Sequence, residues 1–315
     1  MRRVITVGNR WVLYNGRVRL SFPGFLLLVI FLTVVAAGFR VGPFAKVLGA
    51  RAEKLILVAV GDVMLGRSVN VSMQRRNDWR WPFLVTADFL RSADITFGNL
   101  ESPLIYDCPP TDTGMRFCGD FRAVEGLTFA GFDVLSLANN HIFNYGEQGF
   151  LETREILADQ EIVGLGEGEV GILKRDGWKV AVVAFEDVND KIQVEQVEQV
   201  VRVAQAQSDL VVVSVHWGTE YTDMPNARQQ TLGRALIDAG ADIVAGHHPH
   251  WVQPVERYGK GVIFYSLGNF VFDQMWSEET RQGTVAVIAV DVEGGIDYQL
   301  VPVTIYDFGQ PRFRE

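Results

Sequence analysis

The sequence predicts a mixed α/β domain, with several parallel strands and some antiparallel pairing, behind an N-terminal transmembrane helix. Two observations predict it. From Lys54 onward, short β-branched apolar runs alternate with helical patterns. Ahead of them, residues 22–39, "FPGFLLLVIFLTVVAAGF", give 18 positions without a charge, close to the ~20 residues that cross a bilayer as a helix. The expected division is a basic cytoplasmic leader over 1–21, the span over 22–39 and a linker over 40–53. The globular domain follows over 54–308, with a tail over 309–315.

Charge orients the span. Residues 1–52 hold eight Lys or Arg and no acid, and Arg2, Arg3, Arg10, Arg17 and Arg19 all precede the apolar stretch. The positive-inside rule keeps such a leader in the cytoplasm, so an uncleaved signal-anchor would leave the domain extracytoplasmic, single-pass on the cytoplasmic membrane. A cleaved signal ending in the small residues of "VVAAG" is the competing reading, although its charged leader is usually shorter. A buried core helix sits badly beside an acid-free, arginine-rich leader. From Glu53 onward there are 38 acids against 21 bases, a net charge of −17. That excludes general nucleic-acid binding, which needs a basic footprint. Cys108 and Cys118 bracket the loop "PPTDTGMRF" and are either a small disulfide or two unrelated thiols. No Cys/His spacing suggests structural zinc.

The strand signals come in order. "LILVAV" (55–60), "DITF" (94–97), "DVLSL" (133–137), "DLVVVSV" (209–215), "ADIVA" (241–245) and "VIFYS" (262–266) are continuous apolar runs of the kind buried on both faces. "EQGFLETREILADQ", "KIQVEQVEQVVRVAQAQ" and "ARQQTLGRALIDAG" read as helices, the last with Gly240 at its C-terminal end. Asp176-Gly177 and Gly294-Gly295 read as hairpin turns.

Each strand run ends in polar residues: Asp62, then Asn99 and Glu101, then Asn140 and His141, then His216, His247, His248 and His250, then Asn269. All five histidines of the chain fall at these endings. In open α/β sheets ligands bind at the carboxyl ends of strands, so these groups can converge on one edge. If "HHPH" is extended, His248 and His250 share a side and His247 faces away, as a supporting or packing residue. Pro249 favours that extended form in His248. Asp62, Glu101, Asn140, His216, His248 and His250 are therefore the candidate metal ligands. Nitrogen mixed with hard oxygen suits a divalent Mn, Fe or Zn, one ion or two, better than Mg or Ca. His141, next to a ligating amide, is the candidate general acid. Arg67 is a candidate anion contact or a structural salt bridge, and Asn99, His247 and Asn269 stand as supporting residues.

The segments "VGDVMLGR", "GNLESPL", "LSLANNHIFNYG", "VHWGTEY", "GADIVAGHHPHWVQPVE" and "YSLGNFVFDQ", spread over roughly 55–290, resemble the capsule synthesis protein CapA family (PGA_cap). That family is similar to calcineurin-type metallophosphoesterases. The resemblance implies a four-layer α-β-β-α sandwich, with Asp62 on the first metal, Glu101 bridging two metals and Asn140-His141 in place of "GNH". His216 takes the place of the lone histidine and His248/His250 of the final "HxH". It also implies departures. Asn144 stands where the family has an aspartate, and Met64 where calcineurin-type enzymes have the histidine of Asp-x-His. A thioether is a poor ligand for Mn or Zn, so the first site is expected to be the weaker.

Three readings follow. The first is a membrane-anchored protein supporting synthesis or export of poly-γ-glutamate or a related capsular polymer, with the polymer and other capsule-synthesis membrane proteins as partners. The second is an extracytoplasmic metal-dependent hydrolase of phosphoesters or γ-glutamyl bonds. The third is a non-catalytic polymer-binding module. A domain at −17 repels a polyanion unless a metal or a basic groove compensates. For the membrane topology, a reporter enzyme fused after Glu315 is expected to be active outside the cytoplasm. Activity confined to the cytoplasm rejects the signal-anchor.

Overall fold

The computed structural model describes residues 54–314, together with the backbone of Val4–Val7 (β1) and Arg10–Leu13 (β2), an antiparallel pair. The expected span over 22–39 and linker over 40–53 lie outside the described residues. Among the described residues no helix is long and apolar enough to cross a membrane.

The domain begins with β3 (Lys54–Val63), α1 (Arg67–Arg76), α2 (Ala87–Leu90), β4 (Ile95–Leu100), β5 (Leu104–Ile105) and β6 (Gly119–Asp120). It continues through α3 (Val124–Ala130), β7 (Val134–Ser136), α4 (Gly146–Asp159), β8 (Val163–Leu165), β9 (Val170–Arg175) and β10 (Trp178–Glu186). Next come α5 (Val194–Gln205), β11 (Leu210–His216), α6 (Ala227–Asp238), β12 (Ile243–His247), β13 (Val255–Tyr258) and β14 (Gly261–Phe264). The chain closes with β15 (Asn269–Val271), β16 (Gln282–Asp291), β17 (Ile296–Tyr306) and β18 (Gln310–Phe313).

Two sheets carry the fold. The first runs β18-β17-β16-β3-β4-β7-β8, with β15 taking over from β16 beside the C-terminal end of β3. The second runs β13-β14-β12-β11-β10-β9. Apolar residues on alternate positions of β3 divide between two cores. Leu55, Leu57 and Ala59 pack with Val180, Val182, Val212 and Ile243 of the second sheet, filling the space between the sheets. Ile56, Val58 and Val60 pack with Met73, Leu127 and Ile156, on the outer face covered by the early helices. The other face of the second sheet, with Val183, Val213 and Val244, is closed by Val197 and Val201 of α5 and Leu232 and Leu236 of α6. The central strands are thus buried on both faces, which is why their sequences are unbroken apolar runs.

Both expected hairpins form. Asp176 (φ 46°) and Gly177 (φ 92°) are both left-handed, as the tight turn between β9 and β10 requires. Asp291 Oδ1 accepts from Glu293 N at 3.0 Å and Gly295 N at 2.8 Å in the β16–β17 turn. One boundary is corrected. Residues 310–313, expected within a tail, form β18 on the edge of the first sheet, with Ile305 opposite Pro311. The reversal over Asp307, Phe308 and Gly309, all at positive φ, returns the chain. Pro311 removes one donor, which an edge strand tolerates.

A one-residue irregularity in β3 decides what the site can be. Ala59 pairs with Phe97 and Asp62 with Asn99, so three steps on β3 match two on β4. Strict alternation from Leu55, Leu57 and Ala59 would turn Gly61 inward and Asp62 toward the helices. The extra residue restores Asp62 to the inter-sheet side. Gly61 sits at this bulge, and a Cβ there would meet Gly268 O at 1.9 Å. The expectation for Gly61→Ala is a loss of about 3 kcal/mol or more by urea unfolding, since neither backbone can yield without moving β15 off β3.

Candidate metal centre

The ends of the two sheets present facing rows. On the first sheet the register aligns Asn269, Asp62 and Asn99 on β15, β3 and β4. On the second it aligns Glu186, His216 and His247 on β10, β11 and β12. Leu210 and Val212 already face the inter-sheet core, and alternation brings His216 to the same side. Ile243 and Ala245 do the same for His247.

The rows meet through Asn99. Its Nδ2 donates to Asp62 Oδ1 at 2.9 Å and Glu101 Oε2 at 3.2 Å, and lies 3.3 Å from His216 Nδ1. Asn139 holds Asn99 in place, donating to its Oδ1 at 3.0 Å and to Leu100 O at 2.8 Å. One ligand atom from each of Asp62, Glu101 and His216 falls within 4.8 Å of the others, and all three residues are buried. Asn140 Oδ1 lies 2.8 Å from His216 Nε2, and the His248 ring is centred 4.8 Å from the His216 ring.

His250 is held from behind. Its Nδ1 donates to Asn269 Oδ1 at 2.9 Å, Asn269 Nδ2 donates to Gln274 Oε1 at 3.0 Å, and Gln274 Nε2 donates to Tyr221 OH at 3.2 Å. A proton on Nδ1 leaves Nε2 as the nitrogen with a free lone pair, 3.7 Å from Glu101 Oε1. Asn269 thus stands directly behind the His250 ring.

The "HHPH" segment is not the extended strand expected. His247 ends β12, while His248 (φ 94°) and His250 (φ 58°) adopt left-handed backbone. Tertiary hydrogen bonds override the bias from Pro249: His248 N donates to Asp62 Oδ2 at 3.3 Å and Tyr221 N to Pro249 O at 2.9 Å. His247 therefore does not face away, and its Nδ1 lies 3.3 Å from Asp62 Oδ1. That contact is not aligned as a hydrogen bond, and both its ring nitrogens are buried without a hydrogen-bond partner.

Burial governs the electrostatics of the centre. Burial pushes the Glu101 carboxyl well above its ordinary range, helped by the charges of Asp62 and Glu220. Burial works the same way on Asp62, but the His247 and His250 imidazoles beside it hold that carboxyl well below its ordinary range. Burial lowers His216 well below the usual histidine value and His248 to about 3. Neutral imidazoles are the form that ligates metal. Glu101 Oε1 and His248 Nδ1 are buried with no hydrogen-bond partner, and a metal ion is the group such orphaned acceptors fit.

The remaining candidates lie to one side. Arg67 (φ 44°) is a salt bridge, its Nη2 2.5 Å from Asp273 Oδ1 and its Nη1 donating to Gly114 O at 3.0 Å. His141 stacks on Phe117, ring centres 4.0 Å apart, and donates from Nδ1 to Asn144 Oδ1 at 3.1 Å. Burial lowers it to about 4. Met64 is wholly buried, its Sδ 3.0 Å from Gly66 N, and packs as core. Sequence reasoning did not single out Asn139, Tyr221 or Gln274 as site residues. The doubled asparagine of "ANNH" is the signal for the first; the other two carry no local pattern.

These elements define a two-sheet α/β protein with a buried carboxylate–imidazole centre at the strand ends. Residues 56–274 match the family described as bacterial capsule synthesis protein PGA_cap, and the chain belongs to that family. It is 31% identical to the capsule biosynthesis protein CapA of Bacillus anthracis, covering 99% of this chain and 83% of that one. It is 35% identical to the PGA biosynthesis protein CapA of Bacillus subtilis (strain 168), covering 79% and 71%. A crystal structure of a hypothetical protein from Thermus thermophilus shares the fold, with a TM-score of 0.51 at 14% identity, over 82% of this chain and 100% of that one.

Asn99→Ala removes the amide that spaces the two carboxylates. The expectation is a loss of about 10–100-fold in Mn or Zn affinity with the fold retained, read by competition with a chromogenic chelator.

Proposed function

We propose that this protein supports synthesis or export of poly-γ-glutamate or a related capsular polymer from the outer side of the cytoplasmic membrane. In this reading residues 22–39 anchor it and a divalent Mn, Fe or Zn ion occupies the centre. The family and the two CapA relatives support the biological role. The observation that carries the metal is the buried convergence of Asp62, Glu101 and His216, with Glu101 Oε1 and His248 Nδ1 lacking partners. Asp62, Glu101 and His250 would hold one ion, and Glu101, Asn140, His216 and His248 a second. A bound ion supplies Lewis acidity and an acidified water. The chain's own residues do the rest: Asn99 spaces the carboxylates, Asn269 orients His250, and the enclosing strands exclude bulk water.

A second reading, a metal-dependent hydrolase, draws on the place of His141. The ring lies beside the centre with its Nδ1 proton directed to Asn144 Oδ1, and the backbone of Met115 is its second hydrogen-bonding neighbour. An amide in place of the family's aspartate gives the protonated ring less support, so turnover of a generic phosphodiester is expected to be slow.

The test replaces a host's family member with this chain and measures surface polymer and protein level. The wild-type chain should restore polymer, and His216→Ala, present at normal level, should not. Failure of the wild-type chain rejects the polymer role. Full polymer with His216→Ala rejects the need for the metal centre.

A further inference from the structure

The Cys108–Cys118 disulfide closes a loop whose outer face is exposed and whose inner face enters the site. Met115 is 61% exposed, whereas Phe117, next to the bridged Cys118, is buried. The Phe117 ring is packed between two candidate site residues. His141 stacks on it at 4.0 Å with 25° between the planes, and the Arg67 guanidinium lies 4.4 Å from its centroid. The loop's backbone and polar groups reach the same two residues. Phe117 N donates to Asn144 Oδ1 at 2.7 Å, the oxygen that His141 Nδ1 contacts, and Arg116 Nε donates to Asn144 O at 2.9 Å. Gly114 O accepts from Arg67 Nη1 at 3.0 Å. Nothing else in the loop is buried enough to hold it: residues 109–116 are exposed throughout. The covalent bridge, the Phe117 side chain and the hydrogen bonds to Arg67 and Asn144 together carry its placement.

We infer that the disulfide-closed loop is a positioning device for the site, in which Phe117 is a positioning residue that fixes the plane and tautomer of His141 and the disulfide keeps Phe117 seated. A ring stacked on one face and hydrogen-bonded at Nδ1 has one orientation. Released from Phe117, it loses the stack together with the N–H that aims Asn144 Oδ1 at it. The inference rests on the geometry around His141, not on the proposed reaction. Its failure can be told from failure of the metal reading, because the measurement follows His141 itself.

The experiment uses the full chain in mild detergent. The Cys108→Ser/Cys118→Ser double variant is treated with diethyl pyrocarbonate, and carbethoxylation is located by mass spectrometry. His141 is expected to react about tenfold faster than in the parent, with His216 unchanged as the internal control. Phe117→Ala should behave the same way, and Phe117→Tyr, which keeps the ring, should restore the parent rate. In a second arm, selectively 15N-histidine-labelled parent protein is reduced with a trialkyl phosphine. The S–S bond becomes two thiols as the phosphine takes oxygen from water. The NMR signature of the His141 Nδ1–H tautomer is expected to give way to a tautomer mixture. An unchanged His141 rate in the folded double variant, or an unchanged tautomer after complete reduction, overturns the proposal. The reduction arm decides the matter if the serine variant fails to fold.

Discussion

Two fully buried carboxylates, Asp62 and Glu101, are bridged by a single asparagine amide, and the site's architecture serves that arrangement. Burying an ionised carboxylate costs several kcal/mol even after relaxation. A hydrogen bond to a charged group returns about 1.5–3 kcal/mol. One amide shared between two acids does not close that gap. The imidazoles of His247 and His250 settle Asp62, and Glu101 is left holding a proton or waiting for a cation. Each larger feature can be read as a way of keeping this pair where it is. The β3 bulge turns Asp62 inward, Asn139 clamps Asn99, and the facing rows of the two sheets bring histidines to the acids without a single long side chain.

The sheet-forming segments were legible because burial on both faces writes itself as unbroken Val, Ile and Leu. The six strand runs, three helices and two hairpin turns read from the chain all appear. Helix α1 escaped because Val69 and Met73 are its only buried apolar residues, and α2 because four residues are too few to repeat an apolar stripe. β18 escaped because Gln310 and Pro311 have no strand pattern of their own, and only pairing with β17 makes them one.

The site was legible by position and less so by direction. The strand endings converge, bringing Asp62, Glu101 and His216 together. Local rules then misjudged "HHPH", because Pro249 speaks for the backbone before it while Asp62 and Tyr221, both distant in sequence, fix it. Strand alternation from Ile243 and Ala245 would have turned His247 inward had it been carried two residues further. Four non-glycine residues around the site, Arg67, Tyr221, His248 and His250, have positive φ. Each such backbone costs of order 1–3 kcal/mol and persists only where its surroundings overdetermine it. No sequence pattern announces such a cost, which appears only when the contacts that impose it are in place.

The hydrogen bond from His248 N to Asp62 spans 186 residues, and the Arg67–Asp273 pair spans 206. Closing loops of that length carries an entropic cost that must be met before the contacts repay it. A chain ending before β12 would lack β15 and β16, the strands that pair with β3, and also the imidazoles of His247 and His250 that sit against Asp62. Such a fragment has no stable intermediate form of the centre to fall back on. The acids placed in the first third of the chain thus act as a demand that the last third be present, and an incomplete copy is penalised at the very spot where a complete one would work.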